Sequence, residues 1–174
     1  TACPGAQVAA WGDAPDVHRY WGPYHQVLTG NAVDARVRFE GSSGGVLSAL
    51  AIHALQSGLV ERVLHISADP DQPTRNILQW SSNAEDVLAG AGSRYAASSP
   101  LAEIDHILGQ GVPFAFIGKP CDVSALRQFA LMDPRVDQLI PIKLSFFCGG
   151  LPSHTGADQV IRAMGLDPAE VRSF

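Results

Sequence analysis

From residue 60 onward, short apolar runs alternate with longer mixed segments in a strand-then-helix rhythm. Val60 to Ser67 is rich in β-branched residues and is closed by Asp69-Pro70-Asp71 and Pro73, the pattern of a strand running into a turn. Ile77 to Trp80 is a second extended run, after which Ser82 can cap a short helix through Leu88, ended by Gly90 and Gly92. Ser99-Pro100 predicts a further helix to about Leu108, because proline is tolerated at the first helical position. Pro113 to Ile117, bounded by Gly111 and Gly118, has the form of a fully buried strand, and a helix from Asp122 to Leu131 follows. Ile140 to Phe147 predicts the next strand, Ala157 to Met164 a helix, and Asp167-Pro168 opens a last turn.

Upstream, Val46 to Leu55 is apolar on nearly every side and is stopped by Gly58, which predicts a mostly buried helix. Residues 1–40 set Trp11, Tyr20, Trp21 and Tyr24 among punctuating glycines and prolines, so they are expected to form a loop-rich leader that lays aromatics on the main body. The expected fold class is α/β, a largely parallel sheet with helices packed on it, preceded by that leader. The organisation is then a leader over 1–40 and one α/β domain over 41–174.

Composition narrows the partners. In 174 residues, 46% are hydrophobic and 17% charged, enough apolar material for one packed core and far from a disordered balance. Twelve Lys plus Arg against seventeen Asp plus Glu leave a net charge of −5, and no basic face gathers, which argues against nucleic acid. The run Ala49 to Leu55 is interrupted by His53 and falls well short of the roughly twenty residues of a membrane span, so no membrane segment is expected. Three cysteines spread over the whole length disfavour a disulfide framework and suit a reducing cytoplasm. The chain opens at Thr1 and reaches Cys3-Pro4-Gly5 with no signal-peptide pattern, the look of a segment cut from something longer.

Four stretches can carry chemistry. Gly41-Ser42-Ser43-Gly44-Gly45 puts flexible backbone and two hydroxyls at a helix start, where free N–H groups can hold a phosphate; the plain structural alternative is a tight turn with Ser43 as N-cap. Gly90 to Ser99 offers small residues for close approach, Arg94 for an anion and the Tyr95 ring to stack, or else is a solvated connection. Cys121 follows one predicted strand and Cys148 ends another, so in a parallel sheet both fall at the carboxyl edge where ligands gather. Thiolates converging there suit an iron–sulfur cluster or zinc, and the alternative is a pair of small hydrophobic residues. Their sulfurs are expected to face each other, unbridged, in a pocket beside Gly118 and Lys119. Cys148 can also be read as a nucleophile with His154 as base, although both glycines follow the cysteine instead of flanking it. The six histidines show no metal-ligand spacing, and Trp11, Trp21 and Trp80 read as packing.

Together, Cys3-Pro4-Gly5, Gly41 to Val46, Ala91 to Tyr95, Ile117-Gly118-Lys119-Pro120-Cys121-Asp122 through Arg127, and Phe147-Cys148-Gly149-Gly150 resemble the coenzyme F-420 (deazaflavin) hydrogenase/dehydrogenase beta-subunit family over nearly all of the chain. The resemblance implies an electron-transfer oxidoreductase subunit that carries FAD beside a [4Fe–4S] cluster. Such a subunit passes electrons between a two-electron carrier, a redox small molecule, and one-electron partners such as other electron-transfer subunits. It places Ser43, Gly44 and Gly45 against the flavin nucleotide, with Ser93, Arg94 and Tyr95 as a second wall; FAD is then expected along Ser42 to Gly45 and from Ser93 through Ser98 and Ser99, and Lys119 either brings its ammonium near the flavin ring or faces solvent. It makes Cys121 and Cys148 cluster ligands, the other two being expected from a later Cys-x-x-Cys beyond Phe174, and Cys3 the last ligand of an amino-terminal ferredoxin-like module. A cofactor-free α/β binding or scaffold domain, and more distantly a cysteine hydrolase, remain the alternatives.

Overall fold

The computed structural model describes residues 2–7 and 14–172. Its centre is a four-stranded sheet of β3 (Arg62–Ala68), β4 (Asn76–Ser81), β5 (Phe114–Gly118) and β6 (Ile142–Ser145), in the order β4-β3-β5-β6. β3, β5 and β6 are parallel, with Arg62 opposite Phe114 and Ala115 opposite Ile142, and β4 runs antiparallel along β3. The α/β class with a mostly parallel sheet is therefore as expected. The sequence pattern carried no cue to the reversed direction of β4, whose turn of 69–75 brings the chain straight back.

Period-two alternation divides the core into two layers. Val63 and Ala115 face one side and pack with Val37 of α1 (Ala35–Glu40), Ala51, Ile52 and Ala54 of α2 (Val46–Gln56) and Val87 and Leu88 of α3 (Ala84–Ala89). Leu64, Phe114 and Phe116 face the other, against Ile107 and Leu108 of α4 (Ile104–Gly109), Leu126 of α5 (Pro120–Ala130) and Val136 of α6 (Arg135–Leu139). α7 (His154–Ala163) follows β6, capped by the Ser153 hydroxyl, which accepts from the Gly156 N–H at 3.1 Å. Because the strands are parallel, β3, β5 and β6 end at one edge, and the candidate chemistry lies there.

Several elements differ from expectation. The described leader is loop-rich, but it holds a three-residue hairpin, β1 (Asp16–His18) with β2 (Gly22–Tyr24), and the helix α1. Its aromatics do not bury: Tyr20 and Trp21 are 77% and 73% exposed, and Trp21 stacks on His18, centroids 6.4 Å apart, and meets the edge of the exposed Phe147 at 5.6 Å. Trp11 lies outside the described residues. Trp80 does pack, edge-on to Phe114 at 5.3 Å with the Arg62 guanidinium 4.0 Å over its ring. The helix over Val46 to Leu55 forms but is half-buried, since only one of its sides meets the sheet and Val46, Leu50 and His53 face outward. Residues 100–103 form turns, so α4 starts at Ile104 and not at Pro100. Ile140 caps α6 and is fully buried, leaving β6 shorter than the Ile140 to Phe147 run.

Candidate functional site

Two loops that are distant in sequence meet at the carboxyl edge. Ser42 to Gly45 form a tight 3-10 turn in which Ser43, Gly44 and Gly45 have φ of 51°, 78° and 72°, three successive left-handed residues that feed directly into α2. The N-cap of α2 is Gly45 with no side-chain bond, which removes the reading of Ser43 as a simple cap. Glycine is required at 45 twice over, by its positive φ and because a Cβ there would run into the Val37 carbonyl oxygen. Ser43 is the non-glycine residue with positive φ among those described, a strained geometry worth about 1–2 kcal/mol. The Ser93 hydroxyl lies 2.8 Å from that of Ser42, joining the second candidate loop to the first.

The second loop is tied along its length. Arg94 Nε donates to Asn76 Oδ1 at 2.9 Å, and Nη2 donates to the carbonyls of Pro73 and Arg75 at 2.6 and 2.9 Å. Asn76 Nδ2 returns a bond to the Ala96 carbonyl at 2.8 Å. Burial lowers the pKa of Arg94 from its usual value. Tyr95 keeps its ring 62% exposed. Ser98 Oγ accepts from Lys119 Nζ at 2.9 Å, and the same ammonium is 2.8 Å from Asp122 Oδ2, which also accepts the Lys119 backbone N–H at 3.0 Å. Lys119 is buried, not solvent-facing. Along this rim Ser42 is thus linked to Ser93 and Ser98 to Lys119, with Arg94 bracing the loop between them and Ser99 exposed beside it.

Behind the second loop stands a buried histidine that the sequence did not single out. His65 Nδ1 donates to the Ile66 carbonyl at 3.2 Å, so Nε2 accepts from the Ser81 hydroxyl at 2.7 Å. Burial lowers its pKa below the ordinary imidazole value. A Cβ on Gly90, where the second loop begins, would lie 2.5 Å from His65 Cε1. Asp122 and Asn76 were missed as well. Asp122 stands three residues after Lys119 and was open to being read as its partner, whereas nothing local points from Asn76 to Arg94.

The thiols are arranged differently. β5 and β6 are parallel neighbours with Gly118 opposite Ser145, so Cys121 and Cys148 each follow a strand end at the same edge by three residues. Cys3, Cys121 and Cys148 are all exposed, and none of them forms a disulfide. Cys121 lines a pocket of about 530 Å³ together with Cys3, Pro4, Leu101, Ile104 and Phe129. Cys148, Gly118 and Lys119 do not line it, so this is not the Cys121–Cys148 pocket expected beside them. The reason is local: Cys121 is the second residue of α5 and faces the amino-terminal segment, which is held there by Gln128 Nε2 donating to the Gln7 carbonyl at 2.7 Å. Among the described residues no three His, Cys, Asp or Glu side chains group to hold a metal, and no hydrogen bond joins Cys148 to His154. No described helix is long and apolar enough to cross a membrane.

The fold is that of an α/β protein whose mostly parallel sheet gathers serine, glycine and lysine residues at its carboxyl edge, where ligands of such sheets bind. The family model for the coenzyme F420 hydrogenase/dehydrogenase beta subunit N-terminal region matches residues 27–104, and that for its C terminus matches 113–174. The chain belongs to the coenzyme F420 hydrogenase/dehydrogenase beta-subunit family. It is 29% identical over 142 residues to the F420-dependent formate dehydrogenase 1 subunit beta of Methanococcus maripaludis, covering 80% of this chain and 36% of that protein. It is 26% identical over 110 residues to the coenzyme F420 hydrogenase subunit beta of Methanococcus voltae, covering 62% and 39%. With the coenzyme F420-dependent sulfite reductase of Methanocaldococcus jannaschii it shares 24% over 162 residues, covering 80% and 24%. The chain thus spans between a quarter and two fifths of the length of these relatives. A chain of the F420-reducing [NiFe] hydrogenase complex from Methanosarcina barkeri has the same fold, with a TM-score of 0.68, 20% identity, and coverage of 82% of this chain and 51% of that one.

Proposed function

We propose that this chain is the flavin-binding part of an FAD- and iron–sulfur-dependent oxidoreductase subunit, which exchanges electrons between a deazaflavin-type two-electron carrier and one-electron partner subunits. The observation that carries this reading is the Ser42–Ser93 hydrogen bond, which closes two small-residue loops into one rim at the sheet's carboxyl edge. The relatives named as F420-dependent hydrogenase, dehydrogenase and reductase supply the reaction class.

The donor set fits a flavin dinucleotide. Serine hydroxyls at 42, 93 and 99, together with the backbone around Ser43 to Gly45 at the start of α2, are suited to a pyrophosphate, and the exposed Tyr95 ring offers a stacking face. Bound there, FAD supplies the step between two-electron and one-electron transfer. Lys119, held by Ser98 and Asp122, keeps a fixed positive charge inside the rim. Arg94 organises the second loop from behind by holding the carbonyls of Pro73 and Arg75. The described thiols do not by themselves complete a four-cysteine shell, so Cys121 and Cys148 would serve as two ligands of a cluster whose others lie elsewhere.

The test is FAD titration of wild type and Arg94→Ala. Removing the charged anchor is expected to weaken binding about tenfold or more. Unchanged affinity would remove Arg94 and its loop from the flavin site.

A further inference from the structure

Arg75 and Asp158 lie 83 positions apart, one in each half of the chain, and make a bidentate ion pair. Nη1 of Arg75 donates to Oδ1 at 3.0 Å and Nη2 to Oδ2 at 2.8 Å, with the two side chains only 21% and 17% exposed. Asp158 sits on α7, and Arg75 in the turn between β3 and β4. That turn is the seat of the second loop. The carbonyls of Pro73 and Arg75 accept from Arg94, and Asn76 both accepts from Arg94 and donates to the Ala96 carbonyl. Arg75 also donates to the hydroxyl of the buried Thr74 at 3.1 Å, so its guanidinium links α7 and the turn's own side chains at once.

We propose that Asp158 is a positioning residue, which acts through Arg75 to hold the Pro73–Asn76 turn and with it the Arg94–Ala96 stretch of the ligand rim. The claim about the rim stands on the hydrogen bonds alone; its consequence for flavin rests on the function proposed above. The connection is directional. A carboxylate at 158 orients the guanidinium, the guanidinium fixes the turn, and the turn's carbonyls fix the Arg94 fork, whose planar donors tolerate little displacement. The stretch that carries Cys148 leads from the end of β6 directly into the Ser153 cap of α7, so the same ion pair anchors the far end of that stretch.

Amide hydrogen exchange on the ligand-free protein reads the claim without any cofactor. Asp158→Asn is expected to raise exchange at residues 94–98 about tenfold, while Asp158→Glu restores most of the protection. Arg135→Gln, which breaks the ion pairs of α6 to Asp105 and Asp133, serves as control and is expected to leave 94–98 unchanged. On the same proteins the FAD dissociation constant is expected to rise about tenfold for Asp158→Asn only. Unaltered exchange at 94–98 in Asp158→Asn, or a uniform rise over the whole chain, overturns the proposal. The localised exchange pattern in a wild-type protein that takes up no FAD supports the positioning role and overturns the flavin reading instead.

Discussion

The two sides of the sheet's carboxyl edge are built in opposite ways. On the serine and glycine side, most ties run between distant parts of the chain: Ser42 to Ser93, Arg94 to the turn before β4, and Ser98 to Lys119, which Asp122 holds locally. On the thiol side, Cys121 and Cys148 follow neighbouring strands, yet both are exposed, and Cys121 shares its pocket with Cys3. The difference teaches where preorganisation resides. A dinucleotide wall can be held rigid by the protein's own hydrogen bonds, whereas thiol ligands of a cluster are brought together by the metal they bind.

This contrast makes substitutions on the first side costly to folding and those on the second costly only to cofactor content. The largest effect is expected from Gly45→Ala, which combines a forbidden φ with a collision against the Val37 carbonyl and is expected to cost about 3 kcal/mol or more, read from the denaturant midpoint. Asp122→Ala leaves the Lys119 ammonium buried beside Ser98 without its carboxylate, at a cost of about 3 kcal/mol by the same measurement. If Asp122→Ala is as harmless as an average surface change, the wall is not prebuilt and the contrast is broken.

Smaller effects sharpen it. Because burial keeps the folded-state pKa of His65 below its ordinary value of about 6.5, the unfolded chain takes up a proton that the folded one refuses. Stability is therefore expected to be fully present above about pH 7 and to fall as pH drops below 6.5 toward the lowered value, by at most about 1.4 kcal/mol per pH unit. Thermal melts across this range on wild type and His65→Gln check it, the variant losing that slope. Ser43→Gly relieves the strained φ and is expected to stabilise by up to about 1 kcal/mol while weakening FAD binding, which a melt and a flavin titration resolve together. Cys121→Ser, at an exposed position, is expected to move the melt by no more than about 0.5 kcal/mol.

Legibility in the sequence followed the range of the interactions. β3, β5, α2, α3 and α5 were readable because apolar runs and Gly stops are local signals, although the cap of α3 is Asn83 instead of Ser82 and α5 begins at Pro120, two residues before the expected Asp122. α1 escaped because its single buried residue, Val37, leaves no periodicity; its one sign was Asp34, whose carboxylate accepts the N–H groups of Arg36 and Val37 at 2.8 and 3.0 Å. α6 is five residues long and was absorbed into the approach to the next strand. At the site, motif residues announced the two loops and the strand-end cysteines, and the topology brought Ser42 to Ser93. What held them was hidden: Arg75 with Asp158, and Asn76 with Arg94, are long-range pairs with no spacing rule. The pocket that Cys121 shares with Cys3 was not foreseen, because strand position fixes where Cys121 starts but not which way the first turn of α5 presents it.

The most direct measurement is flavin absorbance together with iron and labile sulfide content in the purified full-length protein, compared with its Cys148→Ser variant. The expected result is one FAD with about four iron and four sulfide per wild-type chain at the proposed cluster, and a variant that keeps its flavin while losing that iron and sulfide. Wild-type protein without flavin, or a Cys148→Ser variant with its full iron and sulfide, would contradict it and leave a cofactor-free binding domain in its place.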